Sequence, residues 1–282
     1  MTLPASRVPV ASVPPTPSAL ALQKRTVLNF RAAEDAPPLS RLLRDLGARV
    51  IECPLIAFEA PASWSAFDAR AARVQAGDWI VFTSATALRW ALRRLAELGR
   101  GAESLRPARI AAIGEGTAAA LAEAGLPAHL IPRTDFQAEG LRDALLPALA
   151  PGEPVWLPRA EQGRETLIEG LERAGHPVTV TPVYRTVPAP AGLAPVADLL
   201  ARGEVDWLVF TSSFMVRQFL DRLPPGGRGW LPRVRIACLG RVTAQTAEAN
   251  GLAVAALPER QHLAGLVRAM AAAESALRGA QT

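Results

Sequence analysis

Short apolar, β-branched runs alternate with amphipathic stretches along the chain, a pattern typical of a parallel sheet covered by helices. The predicted strands span residues 27–30, 50–53, 80–82, 110–113, 128–131, 155–158, 178–181, 207–210, 236–239 and 254–257. The predicted helices lie near residues 39–46, 87–98, 117–124, 139–149, 165–174, 215–223, 243–249 and 262–277. Five strands with helical crossovers, twice over, predict an α/β protein of two flavodoxin-like domains with parallel sheets.

The same sequence pattern occurs twice along the chain. DWIVFTSATALRWAL at 78–92 reappears as DWLVFTSSFMVRQFL at 206–220, identical at 8 of 15 positions. RIAAIGEGTAAALAEAGLP at 109–127 reappears as RIACLGRVTAQTAEANGLA at 235–253, identical at 8 of 19. The copies lie 128 and 126 residues apart, and the offset of 128 also aligns Pro54 with Pro182. A unit of this length is a whole domain, so we expect two similar domains to enclose a cleft.

Composition narrows the class of protein. The chain has 282 residues, 50% of them hydrophobic, enough for two ordinary cores, and no apolar run approaches the roughly 18 residues that span a bilayer. Residues 1–24 are rich in Pro, Ala and Ser and lack the apolar segment of a signal peptide, which predicts a disordered tail or an over-long start. Cys53 and Cys238 sit in apolar runs, which indicates reduced thiols in a cytoplasmic protein, and a monomer is the default expectation.

The net charge of +5 rests on arginine, because Lys24 is the only lysine among 31 basic residues. Two explanations of this bias are open: the base composition of the genome, or a need for forked hydrogen bonds from guanidinium groups to carboxylates or phosphates. No Lys/Arg block or basic-aromatic cluster occurs, so no nucleic-acid partner is expected. His129, His176 and His262 are scattered without ligand spacing, so neither a metal site nor a cofactor is predicted.

A hydroxyl-rich F-T-S turn occupies equivalent places in the two copies. Each turn follows a strand and precedes a helix, where backbone N–H groups and the helix dipole converge at the ligand-binding edge of open α/β sheets. One such hydroxyl can simply cap the helix, and anion binding is the alternative. The candidate binding residues in these turns are Thr83, Ser84, Thr211, Ser212 and Ser213.

A second turn, G-x-x-T-A, follows the fourth strand of each copy. In the first copy, residues 114–119 match the dinucleotide fingerprint G-x-G-x-x-A. That fingerprint belongs after the first strand of its unit, and the other copy has Val242 in place of the second glycine. A nucleotide-dependent enzyme is therefore a minor alternative, and Gly114, Thr117 and Gly240 are treated as candidate substrate-binding residues.

Arginine follows the first strand of each copy. Arg31 and Arg159 lie directly after these strands, and Arg164 follows in E-Q-G-R. Any one of them can be a solvated surface charge, but three at the cleft-facing edge favour a polyanionic ligand. Tyr184, the only tyrosine, either packs in an interdomain linker or presents a phenol donor to the cleft.

Together these motifs resemble the uroporphyrinogen-III synthase family over about residues 25–275. The resemblance rests on the VFTSA and VFTSS turns, the IGxxTA-type turns, the segment PRAEQGRETLIEGLERAG and the segment VYRTVP. The chain departs from the family pattern at Arg241-Val242, where Pro-Thr is common, and at Phe30-Arg31, where Thr-Arg is usual.

The resemblance implies that the two domains are not the two halves of the chain. Domain 1 would combine residues 25–53 with 185–277, domain 2 would span 57–180, and paired β linker strands would lie near 53–60 and 181–187. The implied substrate is hydroxymethylbilane, a linear tetrapyrrole with eight carboxylates, cyclised with loss of water and inversion of ring D. No cofactor is implied, and a transient contact with the enzyme that supplies the substrate is expected.

The resemblance also assigns roles. Tyr184 matches a linker tyrosine that protonates the departing hydroxyl, Thr243 matches a threonine of the second IGxxTA-type turn, and Ser212 matches the serine of the neighbouring turn. A non-catalytic ligand-binding module with the same two-domain cleft is the main alternative, since both look alike in sequence.

Overall fold

The computed structural model describes residues 20–133, 136–163 and 165–279. Its strands are β1 (Thr26–Asn29), β2 (Arg49–Glu52), β3 (Ile56–Glu59), β4 (Trp79–Phe82), β5 (Arg109–Ala112), β6 (Val155–Ala160), β7 (Val178–Pro188), β8 (Trp207–Phe210), β9 (Arg235–Cys238) and β10 (Val254–Ala256). Its helices are α1 (Ala36–Asp45), α2 (Ser65–Ala71), α3 (Ala85–Glu97), α4 (Glu115–Glu123), α5 (Ala138–Leu145), α6 (Thr166–Arg173), α7 (Ala197–Ala201), α8 (Ser213–Asp221), α9 (Arg241–Ala249) and α10 (Leu263–Gly279).

The first domain is a parallel sheet in the order β10-β9-β8-β1-β2. Counted along the domain's own strands this is the order 2-1-3-4-5 of flavodoxin-like folds. Successive side chains point to opposite faces, so Leu208 and Phe210 pack in one apolar cluster while Trp207 and Val209 pack in another. Helices cover both faces, which is why the central strands are apolar throughout.

The second domain repeats this order with a different chain connection. Its sheet runs β3-β7-β6-β4-β5, and an isolated bridge between Ala111 and Leu130 continues it beyond β5. Val27 in β1 pairs with Trp207 in β8, and Ile80 in β4 pairs with Trp156 in β6. Each sheet therefore combines the first βα unit of one sequence copy with the remaining strands of the other.

A two-stranded antiparallel ladder joins the domains. The 11-residue strand β7 pairs in parallel with β6 as far as Tyr184, and then pairs with β3, from Arg185 opposite Glu59 to Pro188 opposite Ile56. Proline is tolerated here because one side of each strand lacks a ladder partner. The predicted fold class, two flavodoxin-like α/β domains with parallel sheets and a two-stranded β linker, is confirmed.

Prolines account for two local differences from the predicted elements. The expected strand at 128–131 forms only the single bridge at Leu130, because Pro127 and Pro132 bound the segment and donate no N–H. The expected helix at 139–149 ends at Leu145 and continues as a 3-10 turn that contains Pro147. The short helices α2 and α7 were not predicted.

The described chain begins inside the segment that was expected to be a disordered tail. Ala21 and Leu22 are buried, and the backbone N–H of Leu22 donates to Leu46 O at 2.9 Å. The expectation of disorder is therefore wrong for residues 20–24, because Leu22 packs in the core beside α1 and α10. Residues 1–19 lie outside the described part of the chain. Among the described residues, no helix is long and apolar enough to cross a bilayer.

Candidate functional site

The two sheets place their ligand-binding edges at equivalent positions. In the first domain the strand order reverses between β1 and β8, and in the second domain it reverses between β6 and β4. Loops that leave such neighbouring strands diverge to opposite faces and open a crevice at their carboxyl ends. The F-T-S turns, Arg31 after β1 and Arg159 near the carboxyl end of β6 lie at these two crevices.

Both F-T-S serines cap the helix that follows them. Ser84 has extended backbone angles (φ −163°, ψ 151°), and its Oγ accepts from the Ala87 N–H at 3.0 Å. Ser212 has nearly the same angles (φ −152°, ψ 154°), and its Oγ accepts from the Met215 N–H at 3.3 Å. The capping role weighed from sequence is thus present in both copies. Helices α3 and α8 begin directly after β4 and β8, so their N-termini lie at the carboxyl ends of the strands at the switch points.

A cavity of about 280 Å³ lies beside the turn of the second domain. Thr83, Ser84, Arg159 and Tyr184, four of the candidates named from sequence, line it together. Gln261, from the loop between β10 and α10 of the first domain, lines it as well. The cavity therefore lies at the boundary between the two domains.

Tyr184 is placed by the point where β7 changes partners. It pairs with Ala160 of β6, is 8% exposed, and its ring lies 5.0 Å from that of Phe58 in an edge-to-face contact. Its hydroxyl and the Ser84 side chain both face the cavity. Burial raises the pKa of the Tyr184 phenol above its usual 10.0, and the nearby Ser84 hydroxyl opposes this.

Three charged neighbours act on the same phenol. The charge of Asp35 raises the pKa of Tyr184, whereas the charges of Arg89 and Arg159 lower it. The net shift is upward, so the phenol is protonated at neutral pH and available as a donor. The two guanidinium groups would stabilise the phenolate left after proton transfer.

The guanidinium of Arg159 forms part of the cavity wall. The residue is 7% exposed, its Nη2 donates to Glu165 Oε1 at 2.9 Å, and its Nε donates to Ala160 O at 3.3 Å. A Cβ at Gly163 would lie 2.8 Å from Nη2, so the missing side chain makes room for the guanidinium. Arg164, the third predicted arginine, lies outside the described residues.

The G-x-x-T-A turns are each covered by one cavity-lining side chain. Phe136 lies 3.3 Å from the position of a Cβ on Gly114, and Gln261 lies 2.8 Å from that on Gly240. Thr117 and Thr243 are buried in the first turns of α4 and α9, and neither lines the cavity. The two glycines thus let side chains from the following loops reach the domain boundary.

The hydroxyls of the first domain's turn are bonded within that domain. Ser213 Oγ donates to Val242 O at 3.2 Å and accepts from Thr246 Oγ1 at 2.8 Å. The Thr211 hydroxyl donates to the Met215 sulfur at 3.5 Å. The structure therefore brings Thr83, Ser84, Arg159 and Tyr184 together at the cavity, but not Thr211, Ser212 or Ser213.

Arg31 lies at the first domain's crevice beside an acidic residue that the sequence did not single out. Its Nε donates to Asp35 O at 2.8 Å, and its Nη2 lies 3.5 Å from Asp35 Oδ2. Burial lowers the pKa of the Arg31 guanidinium, Asp35 raises it and the nearby Arg89 lowers it. Asp35 and Arg89 are thus part of the charge balance at the domain boundary.

Sequence motifs missed Gln261, Phe136, Asp35 and Arg89. One signal was present for the first two: FQAEGL at 136–141 aligns with QHLAGL at 261–266 at an offset of 125, which makes Phe136 and Gln261 equivalent positions of the repeat. No comparable signal marks Asp35 and Arg89, which lie 54 residues apart on different domains.

Within the described part of the chain, the cysteine and acidic side chains form neither a metal-binding group nor a reactive thiolate. No group of three His, Cys, Asp or Glu side chains there is arranged to hold a metal ion. Burial raises the pKa of the Cys53 thiol to about 11 and that of the Cys238 thiol to about 12. Both thiols are therefore protonated at neutral pH and poor nucleophiles.

Comparisons with known proteins identify the family of the chain. The family model described as uroporphyrinogen-III synthase HemD matches residues 37–268. A uroporphyrinogen-III synthase of Synechococcus elongatus is 32% identical over 229 residues, covering 79% of this chain and 84% of the relative. A solved uroporphyrinogen III synthase variant of Thermus thermophilus is 26% identical with a TM-score of 0.58, covering 89% of this chain and 99% of that structure.

A second solved structure, uroporphyrinogen-III synthetase of Helicobacter pylori, is 16% identical with a TM-score of 0.58 and covers 92% of this chain and 99% of that one. At this identity the likeness speaks for the fold alone. The family model and the Synechococcus relative each cover most of the chain. This chain belongs to the uroporphyrinogen-III synthase family.

Proposed function

We propose that this protein is a uroporphyrinogen-III synthase that closes hydroxymethylbilane into uroporphyrinogen III, with loss of water and inversion of ring D, in the cleft between its domains. The observation that carries the proposal is the meeting of Tyr184, Ser84 and Arg159 in one cavity at a topological switch point. A proton donor, a neighbouring hydroxyl and a cation there suit a substrate that carries both a leaving hydroxyl and carboxylates.

The cleft must open before the substrate enters. Its cavity of about 280 Å³ is at or below the lower end of the roughly 300–1,000 Å³ typical of pockets for drug-sized ligands, and a linear tetrapyrrole is larger than those. The domains are joined by only two strands, β3 and β7, so a hinge motion at this ladder would separate the crevices without unfolding either sheet.

Closure then folds the substrate before chemistry. Hydroxymethylbilane cyclises without help to the non-inverted isomer, so the protein must hold the two terminal rings in the geometry that gives inversion. Arg159 and the helix N-termini at the switch points supply fixed positive ends for carboxylates. Closing the domains also excludes water, which would otherwise capture the cationic intermediate.

Tyr184 supplies the proton for the first step. Its phenol donates to the terminal hydroxyl, the C–O bond breaks with its electron pair, and water leaves a cationic azafulvene. The phenolate is stabilised by the nearby Ser84 hydroxyl and by the charges of Arg89 and Arg159. The substituted α-carbon of ring D then attacks the azafulvene carbon and gives a spiro intermediate. The bond from that α-carbon to its original methylene bridge breaks, and the bridge re-bonds to the free α-carbon of ring D, which inverts the ring. The proton released on rearomatisation returns to the phenolate.

The other candidates have supporting roles in this proposal. The N-terminal turns of α4, α8 and α9 supply backbone donors from Gly114, Thr117, Thr211, Ser212, Ser213 and Gly240. Thr243 is buried in the first turn of α9, which favours positioning of that turn over contact with reacting atoms. Arg31 would meet a carboxylate at the first domain's crevice.

The setting of the reaction is part of the proposal. We place the protein in the cytoplasm as a monomer without a nucleic-acid or membrane partner. Its substrate is unstable and cyclises spontaneously, so a transient contact with the enzyme that produces hydroxymethylbilane would shorten the exposure of the substrate to solvent.

A coupled assay tests the function. Hydroxymethylbilane is generated in situ, this protein is added, and the products are oxidised and separated as type I and type III isomers. We expect type III in the presence of the protein and type I in its absence. Type I alone from correctly folded protein would mean that the cleft binds without inverting ring D, and the non-catalytic module would then be the better description.

A further inference from the structure

A single aspartate connects the two domains at the cleft. Asp35 precedes α1 in the first domain, and its Oδ2 accepts from the Thr86 hydroxyl in α3 of the second domain at 3.0 Å. Its Oδ1 contacts the guanidinium of Arg89, one turn further along α3. Arg89 Nη2 also donates to Thr86 Oγ1 at 3.1 Å, which fixes the guanidinium over the carboxylate.

The same carboxylate also faces Arg31 of its own domain, so two guanidinium groups share one anion. Arg31 Nη2 lies 3.5 Å from Asp35 Oδ2. The side chains of Arg31 and Asp35 are 19% and 13% exposed, and that of Arg89 is 46% exposed. Two arginines around one shielded carboxylate form a site whose shape and charge suit carboxylate groups in general.

This site borders the proposed catalytic cavity. Asp35 and Arg89 are both close enough to Tyr184 to change its pKa, in opposite directions. Thr86 lies two residues beyond Ser84, whose side chain lies near the phenol. Any motion that opens the cleft for a linear tetrapyrrole must separate Asp35 from α3, because these residues belong to different domains.

We propose that Asp35 is an internal carboxylate that occupies the Arg31–Arg89 site in the ligand-free protein, and that a carboxylate of the substrate displaces it, which makes Arg89 a substrate-binding residue. The inference rests on the proposed function. Exchange of one carboxylate for another keeps both arginines paired, so opening does not leave two cations bare. The domain contact therefore breaks readily when a polycarboxylate is present and re-forms after product release.

Binding can be measured without turnover. Uroporphyrin III, an oxidised and fluorescent octacarboxylate, serves as the probe in fluorescence titrations of the full chain. The variants are Asp35→Asn, Arg89→Gln and the double variant. Arg93→Gln is the matched control, since Arg93 is on the same helix, is 68% exposed and pairs only with Glu97 among the described acidic residues.

We expect Asp35→Asn to tighten probe binding about threefold to tenfold, because the competing anion is removed while the shape of the side chain is kept. Arg89→Gln should weaken binding by a similar factor, and Arg93→Gln should leave it unchanged. In the Arg89→Gln background, Asp35→Asn should tighten probe binding by a smaller factor. Asp35→Asn frees Arg31 and Arg89 for the probe, and in this background Arg89 is already absent.

Opposite results overturn the inference. If Asp35→Asn weakens binding, Asp35 is a structural residue that holds the domains in the orientation that binds the probe. It is then not an anion that competes for the Arg31–Arg89 site. If Arg89→Gln and Arg93→Gln have equal effects, Arg89 contributes only general positive charge. Circular dichroism spectra of the variants should match those of the parent, which excludes unfolding as the cause.

The test is separate from that of the activity. Parent protein that binds uroporphyrin III with this variant pattern, yet yields only the type I isomer in the coupled assay, would refute the synthase proposal and support the carboxylate exchange. Parent protein that produces the type III isomer, with KM unchanged in Arg89→Gln and in Asp35→Asn, would refute the exchange alone.

Discussion

The two F-T-S turns have the same sequence and the same backbone but different surroundings. Ser84 and Ser212 cap their helices with nearly equal angles. Beside Ser84 lie a buried phenol and a buried guanidinium, Tyr184 and Arg159. Next to Ser212, by contrast, Ser213 donates to Val242 O and accepts from the Thr246 hydroxyl. Duplication thus supplied two equivalent scaffolds, and the neighbours of each decide which one carries chemistry.

The linker explains the asymmetry. At the repeat offset of 128, the position of Tyr184 corresponds to Ile56, which is buried in the apolar cluster of the first domain. Ile56 lies in the ladder of β3 and β7, and Tyr184 lies in β7 one residue before that ladder begins. The two equivalent positions therefore hold a phenol at the cavity and a buried alkyl side chain in the core of the first domain.

The opposite edges of the sheets differ as well. Trp207 in the first domain donates its indole N–H to Glu274 Oε1 at 2.8 Å, and the equivalent Trp79 has no hydrogen-bond acceptor among the described residues. Both indoles lie under an arginine, Arg235 at 5.2 Å and Arg109 at 4.6 Å from the ring centre. Glu274 comes from the 17-residue helix α10, which extends further than its eight-residue counterpart α5.

Removing the charge of Glu274 should give the largest change in stability. Glu274 is fully buried and pairs with Arg25 at 3.0 Å and with Arg235 at 2.8 Å. Glu274→Gln keeps the volume but breaks both ion pairs, so we expect a loss of about 3 kcal/mol in the free energy of unfolding. Urea denaturation at constant m-value measures it. Asp206 also lies 3.0 Å from Arg25 and 3.6 Å from Arg235, and a loss below about 1 kcal/mol would show that it alone can satisfy both arginines.

Tyr184→Phe tests the asymmetry of the two crevices. Loss of the proton donor should lower kcat about 100-fold with little change in KM, since general acids typically contribute about 10²–10⁴ in rate. The coupled assay measures it, and Ile56→Val at the equivalent position is the control, expected to change stability slightly but not kcat. Complete loss of activity in a folded Tyr184→Phe protein would contradict a supporting rather than indispensable role.

Arg159→Gln should act on binding. The guanidinium is nearly buried at the cavity, and a charged hydrogen bond to a substrate carboxylate is worth about 1.5 kcal/mol, so KM should rise about tenfold. The control is Arg173→Gln, at the end of α6, where the side chain is 74% exposed. Equal KM values for the two variants would remove Arg159 from the binding residues.

Trp207→Phe should lower the free energy of unfolding by about 1–2 kcal/mol more than Trp79→Phe does. Trp207→Phe loses the hydrogen bond to a buried carboxylate, and Trp79→Phe loses none that the described residues provide. Both lose the same ring volume and a contact with arginine, so those losses largely cancel in the difference. Equal destabilisation would mean that Trp79 is also satisfied in solution.

Tyr184 also predicts a small pH effect that can be observed directly. Because it is the only tyrosine, its absorbance near 295 nm reports one phenol, which should titrate above 10.0 in the folded protein and near 10 when unfolded. The folded state then holds the proton more tightly, so stability is full below pH 10 and falls as the pH rises through the folded-state pKa. Titration at or below pH 10 in the folded protein would contradict burial at the cavity.

Most elements follow from local sequence. Strand β8 lies at 207–210 as predicted, because a buried parallel strand needs a continuous apolar run and TrpLeuValPhe is one. The segment at 128–131 shows the limit of this reasoning: it is apolar, yet its flanking prolines reduce it to one bridge. Short helices such as α2 and α7 depend on tertiary partners that a local pattern does not contain.

The sequence alone determined the duplicated flavodoxin-like architecture, the family resemblance and the residues Thr83, Ser84, Arg159 and Tyr184 of the cavity. These follow from periodicity and motif order, which are local or repeat at a constant offset. Tertiary structure alone decided that Asp35 meets Arg89 and that Gln261 reaches the second domain's cavity. Contacts between domains depend on how the linker crosses and on which side chains then face each other, and no spacing along the chain encodes that.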